Sequence, residues 1–230
     1  MIKISDRLKL LAGYVPPGSI MADIGTDHGY LPVYLIQQGI CPRAVAADIN
    51  QGPLQAARAN VTQHGVADLI DLRLGNGLQV LDPGEVDTIV IAGMGGGTIR
   101  DILSDAPAVA TAARRLILQP MADEAELRQY LVQNGWTIVD EDMLLEDGRL
   151  YIIVVAERGA ERMPAPILLE LGPRLVEKKH PLLPELINRL TAKYEKVLTG
   201  LAKSSQPEAK EKADRIREKL VHLKEVGTCL

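Results

Sequence analysis

The feature that most constrains this chain is an alternation of short apolar runs with amphipathic segments across residues 1–158. SIMADIG enters a glycine-containing turn, followed by a helix predicted from about 29 to 38. RAVAADI ends in Asp48 and precedes an Ala-rich helix, with Asn50 placed to cap it and Pro53 in its first turn. LIDLRLG, VDTIVIAG and RRLILQP supply three more strands, and helices are predicted over about 97–104 and 123–133. A strand that is apolar at every position must be buried on both faces, so this grammar predicts a parallel sheet covered by helices. WTIVDEDML and RLYIIVVAE then follow one another across Asp147-Gly148, which predicts a hairpin rather than another crossover.

Other segments read differently. Residues 4–14 form a predicted amphipathic helix, with Ile4, Leu8, Leu11 and Tyr14 on one side and Pro16, Pro17 and Gly18 ending it. From about 164 the pattern is helical, with breaks near Pro173, Pro181 and Pro184. Leu186, Leu190, Tyr194 and Val197 share one face of a first long helix. Ala213, Ile216, Leu220 and Leu223 share a face of a second, beyond a predicted linker at GLAKSSQP. Two antiparallel helices burying these faces together are expected, because neither is stable alone in water. The expected division is therefore 1–158 and 159–230.

Charge follows the same boundary. Residues 1–158 hold 12 Lys/Arg and 20 Asp/Glu, a net −8, whereas 159–230 hold 14 and 10, a net +4. Overall acidity argues against indiscriminate nucleic-acid binding. The basic tail has two readings, a solvated helical surface or a track for a structured RNA. With no Phe and one Trp, aliphatic residues must fill the core. Cys41 and Cys229 stand alone, offering neither metal-ligand spacing nor a disulfide framework, and fit a reducing compartment. The opening MIKISDRLKLLAGYV lacks the apolar core of a signal peptide, and no later run reaches membrane-spanning length. A cytoplasmic protein without a membrane association is expected.

The chemistry is expected at strand ends. Asp23-Ile24-Gly25-Thr26-Asp27-His28-Gly29-Tyr30 lies just after the first strand, where Gly25 and Gly29 let backbone approach a ligand. Asp23 is placed to orient the methionine portion of a cofactor, although an ordinary turn also uses such glycines. Asp48 ends the second strand, where a carboxylate accepts hydrogen bonds from both ribose hydroxyls of a nucleotide. Its alternative role is to cap the next helix. NAD competes for this position, but Gly25 and Gly29 do not make a GxGxxG fingerprint, and no GxxxxGK[ST] occurs. Asn76, followed by Gly77, offers an amide oxygen to an adenine amino group or serves as a turn residue. Ile91-Ala92-Gly93-Met94-Gly95-Gly96-Gly97 follows the fourth strand, where glycines suit either close access to a flat base or close packing of the next helix. No DPPY or NPPF arrangement and no Pro-Cys nucleophile accompanies it.

Taken together, DIGTDHGYLP, AADIN, RLGNGL and VIAGMGGGTI resemble the TrmK family of bacterial tRNA (adenine-22 N1)-methyltransferases. The resemblance runs from about residue 4 to 157 and continues through GPRLVEKKHPLL into the terminal helices. It implies an α/β Rossmann-like, seven-stranded class I methyltransferase domain, a small C-terminal helical coiled-coil-like domain, S-adenosyl-L-methionine as cofactor and tRNA as partner. It assigns Asp23, Gly25, Gly29, Asp48, Asn76, Gly77, Gly93 and Met94 to the cofactor. Gly95, Gly96 and Tyr30 go to the substrate, with Asp27 and His28 as the catalytic candidates and no metal. Packing beneath the loop is the alternative for Tyr30, and a structural role the alternative for His28. The basic tail residues Arg189, Lys193, Lys196, Arg215, Arg217 and Lys219 are expected either to clamp RNA or to stabilise the fold. A small-molecule methyltransferase and a non-catalytic nucleotide-binding regulator are the competing classes. No obligate protein partner is implied.

Overall fold

The computed structural model describes residues 1–202 and 207–228. These fall into two compact units, Met1–Met163 and Pro164–Leu230. In the first unit, α1 (Asp6–Gly13) precedes β1 (Met21–Ile24), α2 (Tyr30–Gln37), β2 (Ala44–Asp48), α3 (Gln51–Gln63) and β3 (Ile70–Leu74). A single 3-10 turn, Gly77–Val80, leads to β4 (Thr88–Met94), α4 (Gly96–Asp105), α5 (Pro107–Ala112), β5 (Arg115–Pro120) and α6 (Glu124–Gln133). The unit closes with β6 (Trp136–Glu146) and β7 (Arg149–Arg158).

The seven strands form one sheet in the order β3-β2-β1-β4-β5-β7-β6. The first five run parallel, while β7 is antiparallel to both β5 and β6. This is the class I methyltransferase arrangement. Every residue of β1 is buried, as are the first four of β4, whereas the edge strand β3 is exposed or half-buried beyond Ile70. The difference follows from position, since only inner strands are covered on both faces. Asp147 and Gly148 both take positive φ, the geometry that lets two strands of natural twist turn directly back.

The core is aliphatic, apart from Trp136. One ion pair lies inside it. Arg128 of α6 donates from Nε to Glu141 of β6 at 2.6 Å, and both side chains are 0% exposed. The apolar face read for α6 is present in Leu127, Leu131 and Val132, but period alone does not reveal that Arg128 is buried beside them.

α1 docks by its apolar side and by specific ties. Ser5 caps it by accepting the Leu8 N–H at 3.3 Å, and the Tyr14 hydroxyl donates to Asp142 Oδ2 of β6 at 2.9 Å. Asn50 does sit at the start of α3, but its side chain makes no capping hydrogen bond. Its backbone N–H instead donates to Asp48 Oδ1 at 2.7 Å, so Asp48 shapes the entry to the helix.

In the second unit, α7 (Pro166–Leu171), α8 (Pro173–Glu177), α9 (Leu183–Leu201) and α10 (Pro207–Thr228) are all helical. Pro173 opens a helix, and Pro184 lies within the first turn of α9 instead of breaking the chain, because proline fits where an amide N–H has no helical partner. Leu186, Tyr194, Ala213, Ile216 and Leu223 are buried, and Gly227 near the end of α10 lies close to Ile187 near the start of α9. The two helices are therefore antiparallel. Most of the expected linker, and Cys229, lie outside the described residues. Among the described residues no helix is long and apolar enough to cross a membrane.

Removing one member of the buried pair leaves the other charge uncompensated in an apolar layer. Arg128→Ala is expected to lower unfolding free energy by about 3–5 kcal/mol in urea titrations, and Arg128→Met with Glu141→Leu to recover most of it. A loss below about 1 kcal/mol for the single variant would mean that the pair is effectively solvated.

Candidate functional site

β1 is flanked by β2 on one side and β4 on the other, and chain order reverses between them. Helices leave β1 and β4 for opposite sides, which opens a crevice beyond the strands' carboxyl ends. Two depressions occupy this end of the sheet. The larger, of about 670 Å³, is lined by Asp23, Gly25, Asp27, Tyr30, Gly93 and Met94, together with Lys3, Ser5, Arg7 and Leu8 of the N-terminal segment. The smaller, of about 200 Å³, is lined by Asp48, Ile49, Asn76, Gly77, Thr98 and Ile102, and shares Gly25 and Met94 with the larger.

The first turn is tightly laced. The N–H groups of Gly25 and Thr26 both donate to the carbonyl of Ala47, each at 2.8 Å. Gly25 has φ +76°, and a Cβ there would lie 2.0 Å from Met94 Cε. Met94 thus rests directly on the glycine, between the two depressions. Asp23 is 8% exposed and accepts the Thr26 hydroxyl at 2.6 Å. Burial pushes its carboxyl up to about 6, opposed by that hydrogen bond and by the positive charge of Arg7.

His28 holds φ +59°, an unusual conformation for a residue with a side chain. The Asn60 amide of α3 donates to the His28 carbonyl at 2.8 Å and braces the turn. The rings of His28 and Tyr30 stack with centroids 5.3 Å apart, and His28 Nε2 lies 3.2 Å from Asp27 Oδ1. Asp27 is the more open of that pair, with its side chain 78% exposed.

At the smaller recess, Asp48 commits Oδ1 to the Asn50 N–H, and its other carboxylate oxygen has no protein partner among the described residues. Asn76 caps nothing with its side chain and is exposed at the rim. The β4–β5 register slips between Ala92 and Met94, bulging Gly93 out at the strand end with φ +79°.

Not every predicted residue faces these depressions. A Cβ on Gly29 would meet Ala57 of α3 at 3.2 Å, so this glycine serves the approach of two helices. Gly96 donates its N–H to the Ala122 carbonyl at 2.8 Å, and a Cβ there would lie 2.5 Å from the Asp123 carbonyl oxygen. Its closeness is to backbone, the packing alternative of the sequence analysis. Gly95 begins α4 as its cap residue. Conversely, Arg7, Lys3, Thr98 and Ile102 line the site without having been singled out, since their spacing matches ordinary amphipathic helices.

Comparison with known proteins agrees with this geometry. A family model described as a methyltransferase domain matches residues 4–154. Over 158 residues the chain is 42% identical to the tRNA (adenine(22)-N(1))-methyltransferase of Bacillus subtilis, covering 69% of this chain and 66% of that protein. The crystal structure of the B. subtilis m1A22 tRNA methyltransferase TrmK matches with a TM-score of 0.91 at 32% identity, over 99% of this chain and 100% of that one. The chain belongs to the TrmK family. Another TrmK-like structure, Streptococcus pneumoniae Sp1610 in complex with S-adenosyl-L-methionine, matches with a TM-score of 0.86 at 35% identity, over 98% of this chain and 100% of that one. The TrmK fold thus extends over the tail, beyond the span where sequence identity is highest.

The buried carboxyl gives a pH signature. Because Asp23 binds its proton more tightly folded than unfolded, its contribution to stability is complete below about pH 3.8 and is lost as pH rises through about 6. Asp23→Asn is therefore expected to stabilise the ligand-free protein by about 1–3 kcal/mol at pH 8 and by little at pH 4, measured by scanning calorimetry. An equal effect at both pH values would show that the carboxyl titrates normally.

Proposed function

We propose that this protein transfers the methyl group of S-adenosyl-L-methionine to N1 of adenine 22 in tRNA, acting in the cytoplasm. The observation that carries this reading is the pair of depressions meeting at Gly25 and Met94. The residues fit such a donor. Asp48 and Asn76 offer acceptors to a ribose and an adenine amino group in one recess, and Asp23 offers an anion to an ammonium group in the other. The cradle between them requires the missing Cβ of Gly25.

Bound S-adenosyl-L-methionine supplies an electrophilic methyl group on a sulfonium. Adenine N1 carries an in-plane lone pair, so no residue has to remove a proton before transfer. The protein's tasks are alignment and electrostatics. Asp27 lines the larger cavity, where a carboxylate stabilises the cationic product ring, and His28 orients it through their 3.2 Å contact. Because Asp27 is largely exposed, solvent screens this effect until RNA covers the cavity. The His28–Tyr30 stack offers a flat face to a base turned out of its helix, which enzymes acting on concealed base atoms require.

For the second unit, ion pairs bear on the two readings of its charge. Arg189 pairs with Glu185, Arg215 with Glu211, Arg217 with Asp214, and Lys219 with Glu170. Lys193 and Lys196 are exposed on α9 and are the residues we assign to an RNA backbone. The exposed pairs hold weakly enough to exchange a carboxylate for a phosphate.

Incubation with labelled S-adenosyl-L-methionine and whole tRNA, followed by nucleoside analysis, is expected to yield N1-methyladenosine at one D-arm position. Labelling of a small metabolite alone, or of nothing, overturns the assignment. Asp27→Ala is expected to slow single-turnover transfer roughly 10-fold while leaving donor affinity within about 3-fold. An unchanged transfer rate removes Asp27 from the charge-stabilising role.

A further inference from the structure

Arg7 is distinguished from the other half-buried or buried arginines of the first unit by what holds it. Arg73 pairs with Glu85, Arg100 with Asp101, Arg115 with Glu157 and Arg128 with Glu141. Among the described residues, no carboxylate forms an ion pair with Arg7. Its Nη1 donates instead to the neutral Oε1 of Gln119 at 2.8 Å. Gln119 is 0% exposed, and its Nε2 donates to the Pro120 carbonyl at 2.9 Å, which fixes the direction in which its oxygen points. The guanidinium lies 5.3 Å from the centroid of the Tyr151 ring, and the Arg7 backbone N–H donates to Glu146 Oε1 at 3.2 Å. Contacts from β5, β6 and β7 therefore hold one cation in place without neutralising it.

That cation lines the larger cavity. An added Cβ on Gly93 would lie 3.8 Å from Arg7 Nη1, so the guanidinium sits over the end of β4 with no glycine side chain intervening. Asp23, on the same cavity, is close enough to feel its charge, yet the two are not hydrogen-bonded to each other. A fixed cation and a buried carboxylate, separated but facing one space, match a ligand that carries both signs. A phosphate would satisfy the guanidinium but would bring its negative charge towards Asp23.

We propose that Arg7 and Asp23 form a zwitterion clamp for the amino-acid end of the methyl donor, Arg7 taking the α-carboxylate and Asp23 the α-ammonium group, with Gln119 as the residue that positions Arg7. This rests on the donor assigned above and adds how its amino-acid end is recognised. The guanidinium fork presents donors beyond the one used by Gln119, which suits a carboxylate. Lys3, also on the cavity but exposed, is left for the RNA.

The test uses the full chain and calorimetric titration with two probes, S-adenosylhomocysteine and its decarboxylated analogue, which keeps the ammonium group. The wild-type protein is expected to bind the first at least 10-fold more tightly. Arg7→Met should weaken S-adenosylhomocysteine by a similar factor and change the analogue less than about 2-fold. Arg7→Lys should fall between, since it keeps the charge and loses the fork. Equal weakening of both probes by Arg7→Met would reduce Arg7 to a structural role. Unchanged affinity for both, with a raised KM for tRNA, would assign Arg7 to a phosphate. If Arg7→Met fails to fold, the two-probe comparison on the wild type decides: equal affinities exclude a carboxylate clamp. Failure of the wild type to bind either probe would instead overturn the donor assignment itself.

Discussion

The placement of β1 between β2 and β4 governs the rest of the site. All four residues of β1 are buried, and the covering helices reach the strand from both faces. At its carboxyl end the chain must leave the sheet, and neighbouring strands turn away on opposite sides. The resulting crevice is bordered by Asp23, itself a member of the strand, so a carboxyl group is held at the boundary between an apolar layer and a polar cavity. Its ionisation is costly there unless a cation arrives. The Thr26 hydroxyl and the field of Arg7 offset part of that cost. A position that is mildly unfavourable in the empty protein is thereby made favourable for a positively charged ligand group.

The strand order was largely legible in the sequence because β1, β2, β4 and β5 are buried on both faces and carry continuous apolar runs. So were the strand-end residues Asp23, Asp48, Asn76 and Met94, since a doubly wound sheet directs its loops to one end. α1 was legible as a helix but not as a wall of the site. Arg7 meets Gln119 and Tyr151 only after the chain has closed across more than half of the first unit, and no local period carries that information. Gly29 and Gly96 illustrate the opposite limit. A glycine in a loop signals that something comes close, and sequence alone does not say whether it is a ligand or another part of the chain. Here Ala57 and the Asp123 carbonyl are what come close. Arg128 was hidden for a similar reason, because a buried charge on an apolar helical face is revealed only by its partner on β6.

The two units use charge differently. In the first, partly buried arginines tie distant strands and turns together, as Arg115 does with Glu157 of β7 and the carbonyl of Tyr14. In the second, most pairs lie three or four residues apart along one helix and are open to solvent. The former act as fixed cross-links, while the latter are exchangeable at small cost and leave the surface adaptable to a polyanion.

Met94 gives the crevice a wall with an unusual mechanical property. The side chain that separates the two depressions is unbranched and has three rotatable bonds, whereas the backbone beneath it is anchored by the hydrogen bond from Met121 N–H to the Met94 carbonyl. A ligand spanning both recesses therefore needs only a torsional displacement of the thioether, a movement on the picosecond-to-nanosecond scale. The partition can yield and re-form many times within one catalytic cycle without unpairing β4 from β5. A β-branched residue at this position would lack that freedom about χ1 and would transfer the adjustment to the strand.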